Sequence, residues 1–230
     1  MDFTKFVSLM ETRALFFCRA DLLGDPFEGS ISPVTPPAAS PDLKVGAVSL
    51  KQVDFRQVIR MKSVNCWHSG NFESAAMWRL YSREHEGIAI KTTFKRFKES
   101  FCGEREVVAS MVKYIDYATT PVPFGNTMFP LIHKRNSFQH EQEVRAISIL
   151  DTNNFESDES VGQYIDINIG RLISEIIVAP FAPDWFFDLV QSLASRFELE
   201  NKVFASSLSE KPTFKAQFLI QSSEEENAQK

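Results

Sequence analysis

Cysteine is scarce. The three in 230 residues, Cys18, Cys66 and Cys102, are odd in number and widely spaced, which suits free thiols and argues against a disulfide framework. Histidine is nearly as rare, and none of the four falls in a His-Glu-x-x-His spacing, nor do the cysteines form Cys-x-x-Cys, so no metal site is expected. There is no Gly-x-x-x-x-Gly-Lys loop, no Gly-x-Gly-x-x-Gly fingerprint and no Gly-x-Ser-x-Gly elbow. ATPases, Rossmann dehydrogenases and α/β-hydrolases lose support accordingly. No apolar run approaches the roughly 20 residues of a membrane helix, and no basic start with an apolar stretch and cleavage site is present, so a cytoplasmic protein without membrane contact is expected. Positive charge is also short: a net charge of −5 argues against a broad nucleic-acid footprint and leaves only a local basic groove open.

What the chain does have is an ordinary globular composition, 43% hydrophobic and 24% charged, with 21 phenylalanines against four tyrosines. That balance favours buried rings and one sizeable core. Phe3, Phe6, Val7 and Met10 recur at helical spacing over 2–12, and the apolar run 14–18 after them reads as a strand. A turn follows at Gly24-Asp25-Pro26-Phe27-Glu28-Gly29, then a mobile loop over 32–46 that holds Pro33, Pro36, Pro37 and Pro41. Further helices are expected at 51–61, 72–82 with Asn71 as N-cap, 94–101, 128–134 and 184–197. Strands are expected at 63–68, 87–93, 107–117, 143–150, 163–168, 174–180 and 203–206. This alternation predicts a single α+β domain over 1–221, a mixed sheet with peripheral helices, and a disordered acidic tail over 222–230.

Three constellations carry chemistry. Trp67 and His68 at a strand end, with Trp78 and Tyr81 on one helix face, join rings to polar groups and read either as a pocket wall or as a core tryptophan pair. Alternation places Glu141, Glu143 and Arg145 on one side of a strand entering the sheet, beside His140. Carboxylates held near a cation suit acid/base work or stabilisation of a cation, and a structural ion pair is the competing use. Arg19 and the acidic turn bearing Asp25 and Glu28 could line a cleft, or serve as a plain Asp-Pro turn.

Taken in order, Phe16 to Arg19, Gly24 to Gly29, Asn65-Cys66-Trp67-His68, Glu73 to Tyr81, Gly87 to Ile90 and Phe138 to Arg145 resemble a widespread bacterial family known only as a domain of unknown function. The likeness runs from about residue 3 to 212. The order of elements also resembles a compact ADP-ribosyltransferase. That second resemblance implies NAD as substrate, with Glu143 stabilising the oxocarbenium-like ribose and Glu141 activating the acceptor. It further implies that Trp67, Trp78 or Tyr81 stacks on nicotinamide, that Arg19, Arg79 or Arg145 meets phosphate, and that His68 is among the cofactor-binding residues. A toxin or defence role, a small nucleotide ligand and an unidentified macromolecular acceptor belong to the same implication. Two departures stand out: the leading arginine-bearing strand would lie upstream of Met1, and Thr92-Thr93 takes the place of a Ser-Thr-Ser motif. A ligand- or protein-binding module that uses the same aromatic pocket is the alternative, and a Mg²⁺-dependent nuclease, which needs a clearer carboxylate set, is a third.

Overall fold

The computed structural model describes residues 1–35, 44–45, 48–49, 55–83, 85–123, 125–150 and 160–212. Most of the proline-rich stretch, the start of the expected helix at 51–54 and the acidic tail lie outside the described residues.

Helix α1 (Phe3–Thr12) buries Phe6, Leu9 and Met10 on one side, as its spacing predicts, and ends where Arg13 enters the left-handed region at φ 51°. The chain reverses there into β1 (Ala14–Arg19). It continues through the two short strands β2 (Lys44–Val45) and β3 (Val48–Ser49), then α2 (Phe55–Arg60), β4 (Lys62–His68), α3 (Ala75–Tyr81), β5 (Ile88–Lys91) and α4 (Phe94–Ser100). Next come β6 (Val108–Met111), β7 (Lys113–Ile115), β8 (His133–Arg135), β9 (Glu143–Ile149) and β10 (Gly162–Asp166). The short helix α5 (Ile169–Leu172), β11 (Glu175–Val178), α6 (Asp184–Ser195) and β12 (Val203–Ala205) complete the described chain. Among the described residues no helix is long and apolar enough to cross a membrane.

The fold is mixed α+β, with peripheral helices around antiparallel and mixed sheets. Five antiparallel strands run in the order β10-β1-β4-β9-β6, and a second sheet runs β12-β11-β5. Side chains alternate across a strand, so the register decides what each face of the large sheet carries. Leu15, Phe17, Ala146 and Ile165 point to one face and form the main core with α1, α4 and α6. Val64 and Ile147, paired across β4 and β9, point to the other face, where they pack with Ala20, Ile59 and Leu131. The second face has less apolar cover. It is there that the charged residues collect.

Several local expectations are corrected. Helix α3 begins three residues later than the Asn71 signal predicts, because Ser74 is the N-cap and its Oγ accepts from Met77 N. The long strand expected over 107–117 is broken at Val112: β6 pairs with β9 whereas β7 pairs in parallel with β8. The helix expected over 128–134 is a 3-10 turn, Phe129–Ile132, that passes directly into β8.

Candidate functional site

Five charged side chains meet on the second face of the large sheet: Glu28, Lys134, Glu141, Glu143 and Arg145, with side-chain exposures of 1–7%. Each arrives by its own local device. Glu28 comes from the acidic turn, where Asp25 Oδ1 accepts from Phe27 N at 3.1 Å and also binds Arg135 Nη2 at 2.7 Å. Gly29 closes that turn at φ 73°, so close to Ile59 that an added Cβ would sit 3.0 Å from its Cγ2. Glu141 ends the 3-10 helix Asn136–Glu141, and Gln142 at φ 43° swings the chain into β9, so that residues 141 and 143 both turn inward. Arg145 follows one strand repeat later.

Lys134 from β8 lies at the centre. Its ammonium donates to Glu143 Oε1 at 2.6 Å, approaches Glu28 Oε1 at 2.9 Å and also donates to Glu141 Oε2. Arg145 donates through Nε to Glu143 Oε2 at 2.7 Å, through Nη2 to Glu28 Oε1 at 2.8 Å and through Nη1 to the Leu131 carbonyl at 2.8 Å. Three carboxyl groups thus face two cations. One negative charge is in excess when all five are ionised.

Burial by itself would push the Glu143 carboxyl up, but the Arg145 guanidinium, with help from hydrogen bonds to Glu141 and Lys134, outweighs it and brings the group down to about 2. Lys134 is likewise held above its ordinary value, because the bonds to Glu141, Glu143 and Glu28 overcome its desolvation. Glu143 is therefore a carboxylate and Lys134 an ammonium across the neutral range.

The rim is aromatic. Tyr81, half exposed, donates its hydroxyl to Glu141 Oε1 at 2.6 Å, and Tyr114 OH accepts from Glu143 N at 2.8 Å. The Phe138 ring lies 4.7 Å from Lys134 Nζ. His68 stands opposite Glu143 in the ladder, and its Nδ1 donates to the Glu141 carbonyl at 2.6 Å. Cys66 stands opposite Arg145 on the same face. It is exposed, yet surrounding protein pushes its thiol up to about 12, with Glu143 and Glu28 adding to the shift and Arg145 opposing it.

Glu141, Glu143, Arg145, Glu28, His68 and Tyr81 are thus brought together. Other candidates go elsewhere. Trp67 alternates to the opposite face, where it packs edge-on against Phe97 at 5.3 Å in the main core, so it is no wall of this cluster. Arg19 shares that opposite face and is bound to Asp21 and the Ser160 carbonyl. The Trp78 indole donates to Glu73, away from the cluster, and Arg79 and His140 are exposed. Asp25 reaches Arg135 rather than the five-residue centre.

Lys134 was not among the sequence candidates. A signal for it existed in the charge count, since three carboxylates cannot share a dry site with one arginine without a further cation. Its position could not be inferred from spacing, because β8 belongs to a separate two-stranded sheet. Among the described residues no set of three or more His, Cys, Asp or Glu is arranged to hold a metal ion. The Lys134 ammonium takes the central place between the three carboxylates.

Comparison with family models, with curated proteins and with solved structures returned no match.

Proposed function

We propose that the protein cleaves NAD or transfers its ADP-ribosyl group, with Glu143 as the carboxylate that stabilises the cationic ribose. The observation that carries this reading is an ionised Glu143 held by Arg145 and Lys134, two residues after a second inward carboxyl, in a cluster of three carboxyl groups and two cations. Such a centre favours a cation that develops during reaction over an anion. In the proposed step the bond between ribose C1′ and the nicotinamide nitrogen breaks, and its electron pair leaves with nicotinamide. Water or an acceptor then bonds to C1′, and Glu141 takes the proton of that nucleophile. Tyr114 and His68 hold the backbone beside both carboxylates, through Glu143 N and the Glu141 carbonyl.

The test is nicotinamide release from NAD by the purified protein, with Glu143→Gln as control. Release that disappears in the variant supports the reading, and absence of release together with absence of any NAD-dependent thermal shift ends it.

A second reading has an observation of its own. The side chains of Glu28, Glu141 and Glu143 are only 3–7% exposed and each has a cationic partner, which also suits a structural core beneath a non-catalytic binding surface. A Glu143→Gln protein that keeps its fold and still captures a ligand or partner would favour that module.

A further inference from the structure

Helix α3 reaches the charge cluster through Tyr81 yet buries none of its own residues. Leu80 is 58% and Tyr81 50% exposed, so little apolar burial holds the helix down. Among the described residues, Glu73 and Tyr81 make the side-chain hydrogen bonds that tie 70–81 to distant parts of the chain, and next to the helix end Ser82 Oγ donates to the Trp78 carbonyl at 2.6 Å. At one end Glu73 accepts from Ser206 Oγ at 2.6 Å, Ser207 N at 2.8 Å and Ser207 Oγ at 2.7 Å, and also from Trp78 Nε1 within the segment. At the other end Tyr81 donates to Glu141. Beyond it, Gly87 admits the segment so closely that an added Cβ would lie 2.3 Å from Ser82 Cβ.

We infer that α3 is a lid on the cluster, latched by Glu73, and that the Tyr81 hydroxyl occupies on Glu141 the place of a ligand hydroxyl. A segment fastened at two polar points and not by a core opens more readily than the sheet beneath it. With carboxylates so well covered, a ligand reaches them only when something moves. Tyr81 is the rim residue bound directly to one of those carboxylates while remaining half exposed. A ligand that carries hydroxyl donors, such as a ribose, can replace the phenol on Glu141 like for like. The ligand half of this inference rests on the NAD reading; the lid does not.

Two variants separate the parts. Tyr81→Phe removes only the inner bond. Glu73→Gln replaces one acceptor oxygen with an amide donor, so one pair of its present donors loses its partner. Hydrogen exchange should accelerate about tenfold or more within 70–81 in both variants and stay unchanged in β4 and β9. Titration with ADP-ribose, which carries the ribose hydroxyls but no nicotinamide to release, should show Tyr81→Phe binding at least about fivefold tighter than wild type, because the closed state loses its bond. Unchanged exchange over 70–81 in both variants overturns the lid whatever binds. Weaker ADP-ribose binding by Tyr81→Phe overturns the plug and makes Tyr81 a ligand contact. Faster exchange without any ADP-ribose binding leaves the lid standing and removes the plug, while the NAD reading is decided by nicotinamide release.

Discussion

The ammonium of Lys134 donates to Glu143 Oε1 at 2.6 Å, joining the small β7–β8 sheet to the large one through two buried charges. Such a bond adds little net stability when complete, because desolvation cancels most of the attraction, but it is costly to break from one side. Lys134→Met should therefore lower unfolding stability by about 3–5 kcal/mol, since three carboxyl groups would be left with Arg145 alone. Urea denaturation measures this. A loss below about 1 kcal/mol would mean that water already enters the cluster.

Acid should weaken the protein in a defined window. The folded carboxyl of Glu143 lies near 2, below its ordinary value of 4.5. A depressed carboxyl contributes stability that is fully present above the unfolded value and is lost as pH falls through the folded one. Stability should thus fall from about pH 5 toward pH 2, by an amount on the order of a few kcal/mol from this group. Glu143→Gln should flatten that part of the profile, whatever its effect at neutral pH. A profile equally steep in the variant would assign the acid loss to other groups.

Much of the centre could be read from period-two alternation, because β9 is a regular strand and Glu143 and Arg145 necessarily share a face. Alternation cannot say which face is the core, however, and this is where the reading of Trp67 and His68 as one wall failed. Pairing with β9 sets His68 opposite Glu143 and Trp67 opposite Val144, so neighbours in sequence serve opposite sides of the sheet. Trp78 and Tyr81 show the same limit on a helix: three-residue spacing puts them side by side, but Glu73 takes one and Glu141 the other. The break at Val112 was hidden for a different reason. Its amide bonds the Glu143 carbonyl, a contact that exists only once β9 is in place.

Trp67 should accordingly behave as a packing residue. Its ring touches Phe97 and the main core, and its indole N–H is satisfied by Asn65. Trp67→Ala should cost about 3 kcal/mol through the cavity it leaves. In folded variant protein the affinity for ADP-ribose should be unchanged. A selective loss of ligand binding with stability intact would instead bring Trp67 back to the site.

Cys66, opposite Arg145 in the ladder, offers a chemical probe of the cluster's edge. Its thiol, pushed up to about 12 by burial and then by Glu143 and Glu28, is protonated throughout the neutral range although its side chain is accessible. The thiolate is the form that alkylates, so at pH 8 iodoacetamide should modify Cys66 about three orders of magnitude more slowly than an unperturbed thiol of pKa near 8.5. The rate should keep rising with pH past 10 instead of levelling off. Glu143→Gln removes one of the negative charges that disfavour the thiolate and should speed the reaction, which peptide mass mapping can follow separately from Cys18 and Cys102. Alkylation of Cys66 at the rate of a free thiol would mean that Arg145 dominates the field at this point. That side of the cluster would then suit an anionic group of a ligand rather than a developing cation.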